Sequence, residues 1–230
     1  MSANQSTPSI APVIAIDGPS ASGKGTVAQL VAAKLRFHYL DSGALYRIVA
    51  FAAQKNNIEW HQSDALGSLA KSLKISFIQD EILLDNQCIT EAVRSEEMSR
   101  GASEVAVHQT VRNVLFSLQQ NFRKMPGLVA DGRDMGSVVF KDAQLKIFLT
   151  ASVETRAVRR FKQLVNKGIS ANFEQILADL QQRDYRDTQR SVAPLVHAPD
   201  ALLLDTTHRD IDEAVKFVLA AYQNILQNIL

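Results

Sequence analysis

Short apolar runs alternate with stretches of helical periodicity through most of the 230-residue chain. Val13, Ile14, Ala15 and Ile16 form one such run and feed Asp17-Gly18-Pro19, the pattern of a buried strand meeting a loop. Beyond Lys24, apolar side chains recur at Val27, Leu30, Val31 and Leu35, which predicts an amphipathic helix over 24–36. A second strand is expected over 37–40, closed by Asp41-Ser42-Gly43. Helices over 44–54 and 63–73 follow, the latter with Ser63 as its N-cap. Residues 74–90 then change character. Ile75, Phe77, Ile82, Leu84 and Ile89 sit in short pieces broken at Gln79-Asp80 and Asp85-Asn86, which predicts a small antiparallel sheet set between helices. Helices over 96–107 and 110–124 come next, with apolar strands over 128–130, 145–149 and 201–204. Asn172 with Gln175, and Asp210 with Glu213, have capping-box spacing. The last helix carries Ile211, Ala214, Val215, Val218, Tyr222 and Ile225 on one stripe. Strands alternating with helices argue a parallel sheet covered on both faces.

Composition narrows the class only modestly. An apolar fraction of 46% with 21% charged residues is ordinary for a packed soluble protein. A formal net charge of +1 does not suggest a nucleic-acid coat or a membrane-surface protein. The single cysteine, Cys88, excludes an intrachain disulfide and fits a reducing cytoplasm. The five histidines show no metal-ligand spacing, and no run approaches the roughly 20 apolar residues of a membrane span. Residues 1–12 are Ser/Thr/Pro-rich, without a basic start and apolar stretch, and read as a flexible tail instead of a signal peptide. Trp60, Cys88 and His38 are assigned to packing or surface.

The sharpest chemical signal is Gly18-Pro19-Ser20-Ala21-Ser22-Gly23-Lys24-Gly25-Thr26. It has the Gly-x4-Gly-Lys spacing of a P-loop and stands between an apolar strand and an amphipathic helix, the context that motif requires. Glycines let consecutive N–H groups turn toward a polyphosphate, and the helix N-terminus adds about half a positive charge. Lys24 can reach the outer phosphates as a point charge. A glycine turn merely joining strand to helix would not place a lysine there, against the helix N-terminus. Gly25 follows the lysine where Ser or Thr is usual, so Thr26 must supply any hydroxyl. The Gly-Lys-Gly-Thr form resembles nucleoside monophosphate kinases more than GTPase switches.

A nucleotide loop alone does not name a reaction. Asp41 to Arg47 follows the second strand and Asp131 to Gly136 the third, so both should lie at the strand C-terminal edge, where ligands of open α/β sheets collect. In the Arg-rich stretch 156–190, Arg183, Asp187 and Arg190 fall at i, i+4 and i+7 of a helix. That stripe flanks the Phe173, Ile176, Leu177, Leu180 face instead of opposing it, although a salt-bridged surface helix would give the same pattern. Ser103 and Arg112 are uninformative by themselves.

With these stretches in the same order, the chain resembles bacterial cytidylate kinases. The matching pieces are Ile16 to Ser20, Gly23 to Thr26, Leu40 to Ala44, Tyr46-Arg47, Ala130 to Gly136, Arg183-Asp184, Arg186-Asp187 and Ala193 to Leu195. The resemblance implies a P-loop nucleoside monophosphate kinase fold: a five-stranded parallel sheet flanked by helices, a small antiparallel acceptor-binding insertion and a short helical lid. It divides the chain into core (13–41), acceptor-binding region with insertion (42–107), core (108–155), lid (156–190) and core (191–230). The insertion's turns are shorter than that form's. It further implies that Ser42, Arg47 and Arg133 hold the acceptor phosphate, with Arg190 near it. Ser103, Arg112 and Asp134 would read the cytosine edge, Arg183 and Asp187 would contact the sugar, and Tyr46 would line the pocket. Gly18 to Thr26, with Arg159, would hold ATP, and Lys24, Arg133, Arg183 and Arg190 would carry the catalytic charge. Mg²⁺ is the implied cofactor, with Thr26, Asp17 or Asp131 as possible ligands, partly through water.

The expected reaction is ATP-dependent phosphorylation of CMP, and of dCMP, by in-line transfer in a monomeric cytoplasmic enzyme with no nucleic-acid or membrane partner. Cytosine offers an amino donor beside acceptors, so an acid paired with Ser and Arg can distinguish it from uracil. Rival readings are a kinase for UMP, dephospho-coenzyme A or shikimate, a slow nucleotide switch, and an RNA-binding basic lid. Asn166-Lys167-Gly168-Ile169 lacks the Asp that reads guanine in switches, and an RNA binder would show strong salt dependence.

Overall fold

The computed structural model describes residues 10–78 and 81–228. Most of the expected tail and the Gln79-Asp80 break lie outside them. Five parallel strands form the main sheet in the order β2-β6-β1-β7-β8, with β1 (Val13–Asp17) central. β6 (Leu128–Gly132) and β7 (Leu145–Thr150) flank β1; β2 (His38–Asp41) and β8 (Leu202–Asp205) are the edges.

The apolar run of β1 is continuous because both faces are covered. Val13 and Ala15 pack with Leu45, Ile48 and Val49 of α2 (Ser42–Lys55), Met98 and Ala102 of α5 (Glu96–Val105), and Val111 and Leu115 of α6 (Gln109–Gln120). Ile14 and Ile16 point the other way, onto Val27 and Val31 of α1 (Lys24–Leu35) and Val215, Val218 and Tyr222 of α9 (Ile211–Gln227). One strand of period two thus serves two cores. Between α3 (Ser63–Ser72) and α5 stand the antiparallel strands β3 (Ile75–Ile78), β4 (Glu81–Leu84) and β5 (Gln87–Cys88), as the broken apolar pieces predict.

Several local expectations change. α2 starts at Ser42 and not Ala44, because the Asp41 carboxylate accepts the Ala44 N–H at 3.0 Å and caps the helix. Ser63 is not an N-cap; Gln62 holds that position, and the Ser63 hydroxyl instead meets Thr110 Oγ1 at 3.0 Å. Asn172 caps α8 (Phe173–Gln189), but Gln175 turns to Asp179 and leaves the box half made, whereas Asp210 and Glu213 complete theirs on α9. Ile211, placed on the buried stripe by periodicity, is exposed at the mouth of a cavity. The short helix α4 (Thr90–Val93) was not anticipated. α7 (Val153–Asn166) and α8 pack on each other, yet α8 buries only Leu180 and Asp187 of its 17 residues. Polar contacts, more than apolar ones, hold this pair to the rest.

Candidate active site

The segments leaving the C-terminal ends of β1, β2 and β6 converge on one cleft. Residues 18–26 run from β1 into α1 with positive φ at Ala21 (58°) and Gly23 (93°), the change of hand that aims successive N–H groups to one side of a turn. Gly18 is required by close approach, since a Cβ there would stand 1.9 Å from the Leu149 carbonyl oxygen. Lys24 is buried and its Nζ donates to Pro19 O at 3.3 Å, so it lies across the loop. Burial, and then the Arg133 charge, push its pKa down to about 7. A polyphosphate arriving in the loop supplies the opposite charge and restores the cation.

Ser42, Tyr46, Arg47, Ser103, Arg112, Arg133, Asp134, Arg183, Asp187 and Arg190 all line the cleft, beside Ser20, Ala21, Lys24 and Gly25. Arg133 leaves the end of β6 and ties the glycine loop to α8: its Nη2 donates to Ser20 Oγ at 2.7 Å and its Nε to Asp187 Oδ2 at 2.8 Å. Burial works against the Arg133 charge, but Asp187 outweighs it and holds the pKa above the ordinary value. Burial also opposes ionisation of Asp187, and Arg133 and Arg183 more than reverse that. Arg112 and Asp134 form a second buried ion pair, with the Arg112 guanidinium over the Tyr46 ring at 5.8 Å. Ser103, 6% exposed, donates to Asp187 Oδ1 at 3.4 Å. Arg190 is the C-cap of α8 instead of a helical residue, and its Nε donates to Ala193 O at 2.7 Å.

Among the described residues, buried guanidinium atoms remain without partners at Arg47 Nε, Arg183 Nε and Arg190 Nη2. Three cations facing one cleft with spare donors are a cradle for an anion.

A second cavity opens on the other side of the loop, lined by Ala21 to Thr26, Arg47, Arg159, Arg160, Thr206 and Arg209 among others. Arg159 hooks the loop to the connection after β8, donating to Ser22 O at 3.1 Å and Thr206 O at 2.6 Å. Gly18 and Pro19 are not among the residues lining either cavity.

The cytidylate kinase family model matches residues 14–224. The chain belongs to the cytidylate kinase family. It is 56% identical over 215 residues to a cytidylate kinase of Polynucleobacter asymbioticus, covering 94% of this chain and 98% of the relative. A Cupriavidus necator cytidylate kinase is 56% identical over 207 residues, with 90% and 93% covered. Among solved structures, a gluconokinase from Sinorhizobium meliloti aligns over 96% of each chain with a TM-score of 0.50 at 14% identity, a likeness of fold alone.

For a cytidylate kinase the two acids left open at the metal position differ sharply. Both Asp17 oxygens accept backbone N–H groups, of Met135 and Gly136, each at 2.8 Å, and hold a single π-helical turn (Met135–Val139) after β6. Burial outweighs those two bonds and lifts the Asp17 pKa to about 7. Each oxygen thus holds one scaffold N–H, and Asp17 lines neither cavity, so Asp131 is the better placed of the two acids. Asp131 lines the cleft, and a Cβ on Gly25 would stand 3.3 Å from its Oδ2. The carboxylate thus crowds any side chain placed directly after the lysine. Burial, and then the Asp41 charge, raise the Asp131 pKa to about 6, a pair that a divalent cation would relieve. Tyr39, which donates to Asp131 at 2.6 Å, and Arg156, which clamps Asp184 while donating to Ser20 O at 3.2 Å, were missed from the sequence.

Proposed function

We propose that this protein transfers the γ-phosphoryl group of ATP to a phosphate oxygen of CMP, and of dCMP, giving the diphosphate. The observation that carries the reading is that the buried polar set Ser103, Arg112 and Asp134 shares one cleft with Lys24 and the cations Arg47, Arg133, Arg183 and Arg190. A nucleobase edge and an anionic phosphate can be held there together, with the acceptor phosphate against the glycine loop.

The second cavity, with Arg159, takes ATP, whose phosphates reach Lys24 through residues 18–26. Ser42, Arg47 and Arg133 hold the acceptor phosphate, with Arg190 beside it. Arg183 and Asp187 hold the sugar. Asp134 accepts from the cytosine amino group, a proton donor that uracil lacks, while Tyr46 covers the pocket wall. The nucleophile is a phosphate oxygen already ionised near neutrality, so no residue is assigned as general base. The chain's work is alignment, charge neutralisation and exclusion of water. Bound Mg²⁺ supplies charge neutralisation at the phosphates, and Thr26 and Asp131 are the residues that would hold it, in part through water. Helices α7 and α8, with their few apolar anchors, form a lid over 156–190 that closes once both nucleotides are seated. The enzyme acts as a monomer in the cytoplasm; no helix among the described residues is long and apolar enough to cross a membrane.

A coupled assay of ADP release with purified protein across CMP, dCMP, UMP, AMP and shikimate tests this. CMP and dCMP should give the highest kcat/KM, and preference for any other acceptor would reject the reading.

A further inference from the structure

Among the described residues, the arginines around the cleft divide into those held by a carboxylate and those, Arg47, Arg183 and Arg190, that are not. Arg112 is paired with Asp134, Arg133 with Asp187 and Arg156 with Asp184, each by a carboxylate. Among the described residues Arg183 has no such ion pair. Its Nη1 donates at 2.5 Å to the hydroxyl of Ser99, and its Nε is buried without a partner. Ser99 is itself buried, at 8% exposed, and is not among the residues lining the cleft. It meets the guanidinium without itself lining the cleft.

The position of that hydroxyl is fixed by helix packing. Gly101 faces the opposite side of α5, where a Cβ would fall 2.6 Å from the Trp60 ring and 2.8 Å from Ala50 Cβ, so α5 lies hard against α2. Ser99 and Ser103 share the other face at i and i+4, and Ser103 reaches Asp187 one turn from Arg183 on α8. α5 therefore presents two hydroxyls on a rigid rail to the charged stripe of a weakly anchored helix.

We propose that Ser99 is a positioning residue: its neutral hydroxyl aims Arg183 into the acceptor cleft without cancelling the guanidinium charge. A carboxylate at the same place would fix the side chain equally well but neutralise it before the anionic acceptor arrived. Burial, and then the nearby Arg133 charge, push the Arg183 pKa down to about 9, with the Asp187 charge acting against them. An anion in the cleft would add further opposite charge. This inference rests on the proposal that Arg183 contacts CMP.

The test is a double-mutant cycle in kcat/KM for CMP, with the thermal midpoint of each variant recorded. Wild type and Arg183→Ala report on the underlying reading: if Arg183→Ala keeps full activity, Arg183 has no acceptor role. Given a loss there, Ser99→Ala should lower kcat/KM about tenfold in the wild-type background and leave it nearly unchanged in the Arg183→Ala background. Ser99→Asp should lose more than Ser99→Ala, chiefly as a higher KM for CMP. The inference is overturned if Ser99→Ala matches wild type, if it costs the same factor in both backgrounds, or if Ser99→Asp is the milder change.

Discussion

The two cavities flanking the glycine loop are built on opposite plans. The acceptor cleft is made of buried side chains locked to one another: Arg112 to Asp134, Arg133 to Asp187, Ser103 to Asp187. The donor cavity is made of loop backbone, the exposed Thr26 and partly exposed side chains such as Arg159 and Arg160. Backbone N–H groups recognise polyphosphate, which every nucleoside triphosphate carries, and so discriminate little. Interlocked polar side chains penalise a ligand that leaves one of them unsatisfied. Selectivity should therefore reside on the acceptor side, and shared charge where the two cavities meet.

Lys24 is at that meeting point, lining both. On the proposed reading Lys24→Ala removes a charge shared by both nucleotides, and kcat should fall about a thousandfold, roughly 4 kcal/mol of transition-state stabilisation. Circular dichroism should stay native, because the side chain makes one hydrogen bond, to Pro19 O. A variant keeping more than a tenth of wild-type kcat would mean that the cavities do not share this cation.

The next test bears on selectivity. Deleting the Asp134 side chain would leave Arg112 buried without its partner, which costs about 3–5 kcal/mol in stability. Asp134→Asn is the cleaner change, since it keeps the volume and one carbonyl acceptor. Its amide can donate to the uracil oxygen that replaces the cytosine amino group. The CMP/UMP ratio of kcat/KM should fall about thirtyfold, within the range of one specific polar contact. An unchanged ratio would locate base recognition elsewhere and break the contrast between the cavities.

What the sequence disclosed follows the same division. The sheet, the glycine loop and the Arg183–Asp187 stripe were legible because each depends on local pattern: apolar runs, a fixed motif spacing, a helical period. The roles of Arg47, Arg112 and Arg133 were implied only by the family resemblance. The antiparallel insertion was visible as a change of period. The Arg156–Asp184 clamp, the Tyr39–Asp131 bond and the Ser99–Arg183 anchor join residues 28, 92 and 84 positions apart. No periodicity marks such partners. Asp17 shows the converse. Its place in the motif suggested metal chemistry, while nothing local announced that its carboxylate also holds N–H groups 118 and 119 residues away. α4 has only four residues, too few for a helical period to register.

The smallest effect belongs to the donor cavity. Arg159 makes three hydrogen bonds, to Ser22 O, Thr206 Oγ1 and Thr206 O, and it is only partly buried. Burial holds its pKa below the usual guanidinium value, with the Asp205 charge acting in the opposite direction. Its role is to brace the loop against the connection after β8 and to offer a flat cation at the rim. Loop amides still cradle the phosphates when it is removed, so Arg159→Ala should raise the KM for ATP about fivefold, near 1 kcal/mol. kcat and the CMP/UMP ratio should stay within about twofold of wild type, since Arg159 does not line the acceptor cleft. If instead the CMP/UMP ratio moved as far as in Asp134→Asn, recognition of the base would depend on both sides of the glycine loop. The two cavities would then be one coupled site, and the division of labour drawn from their construction would be wrong.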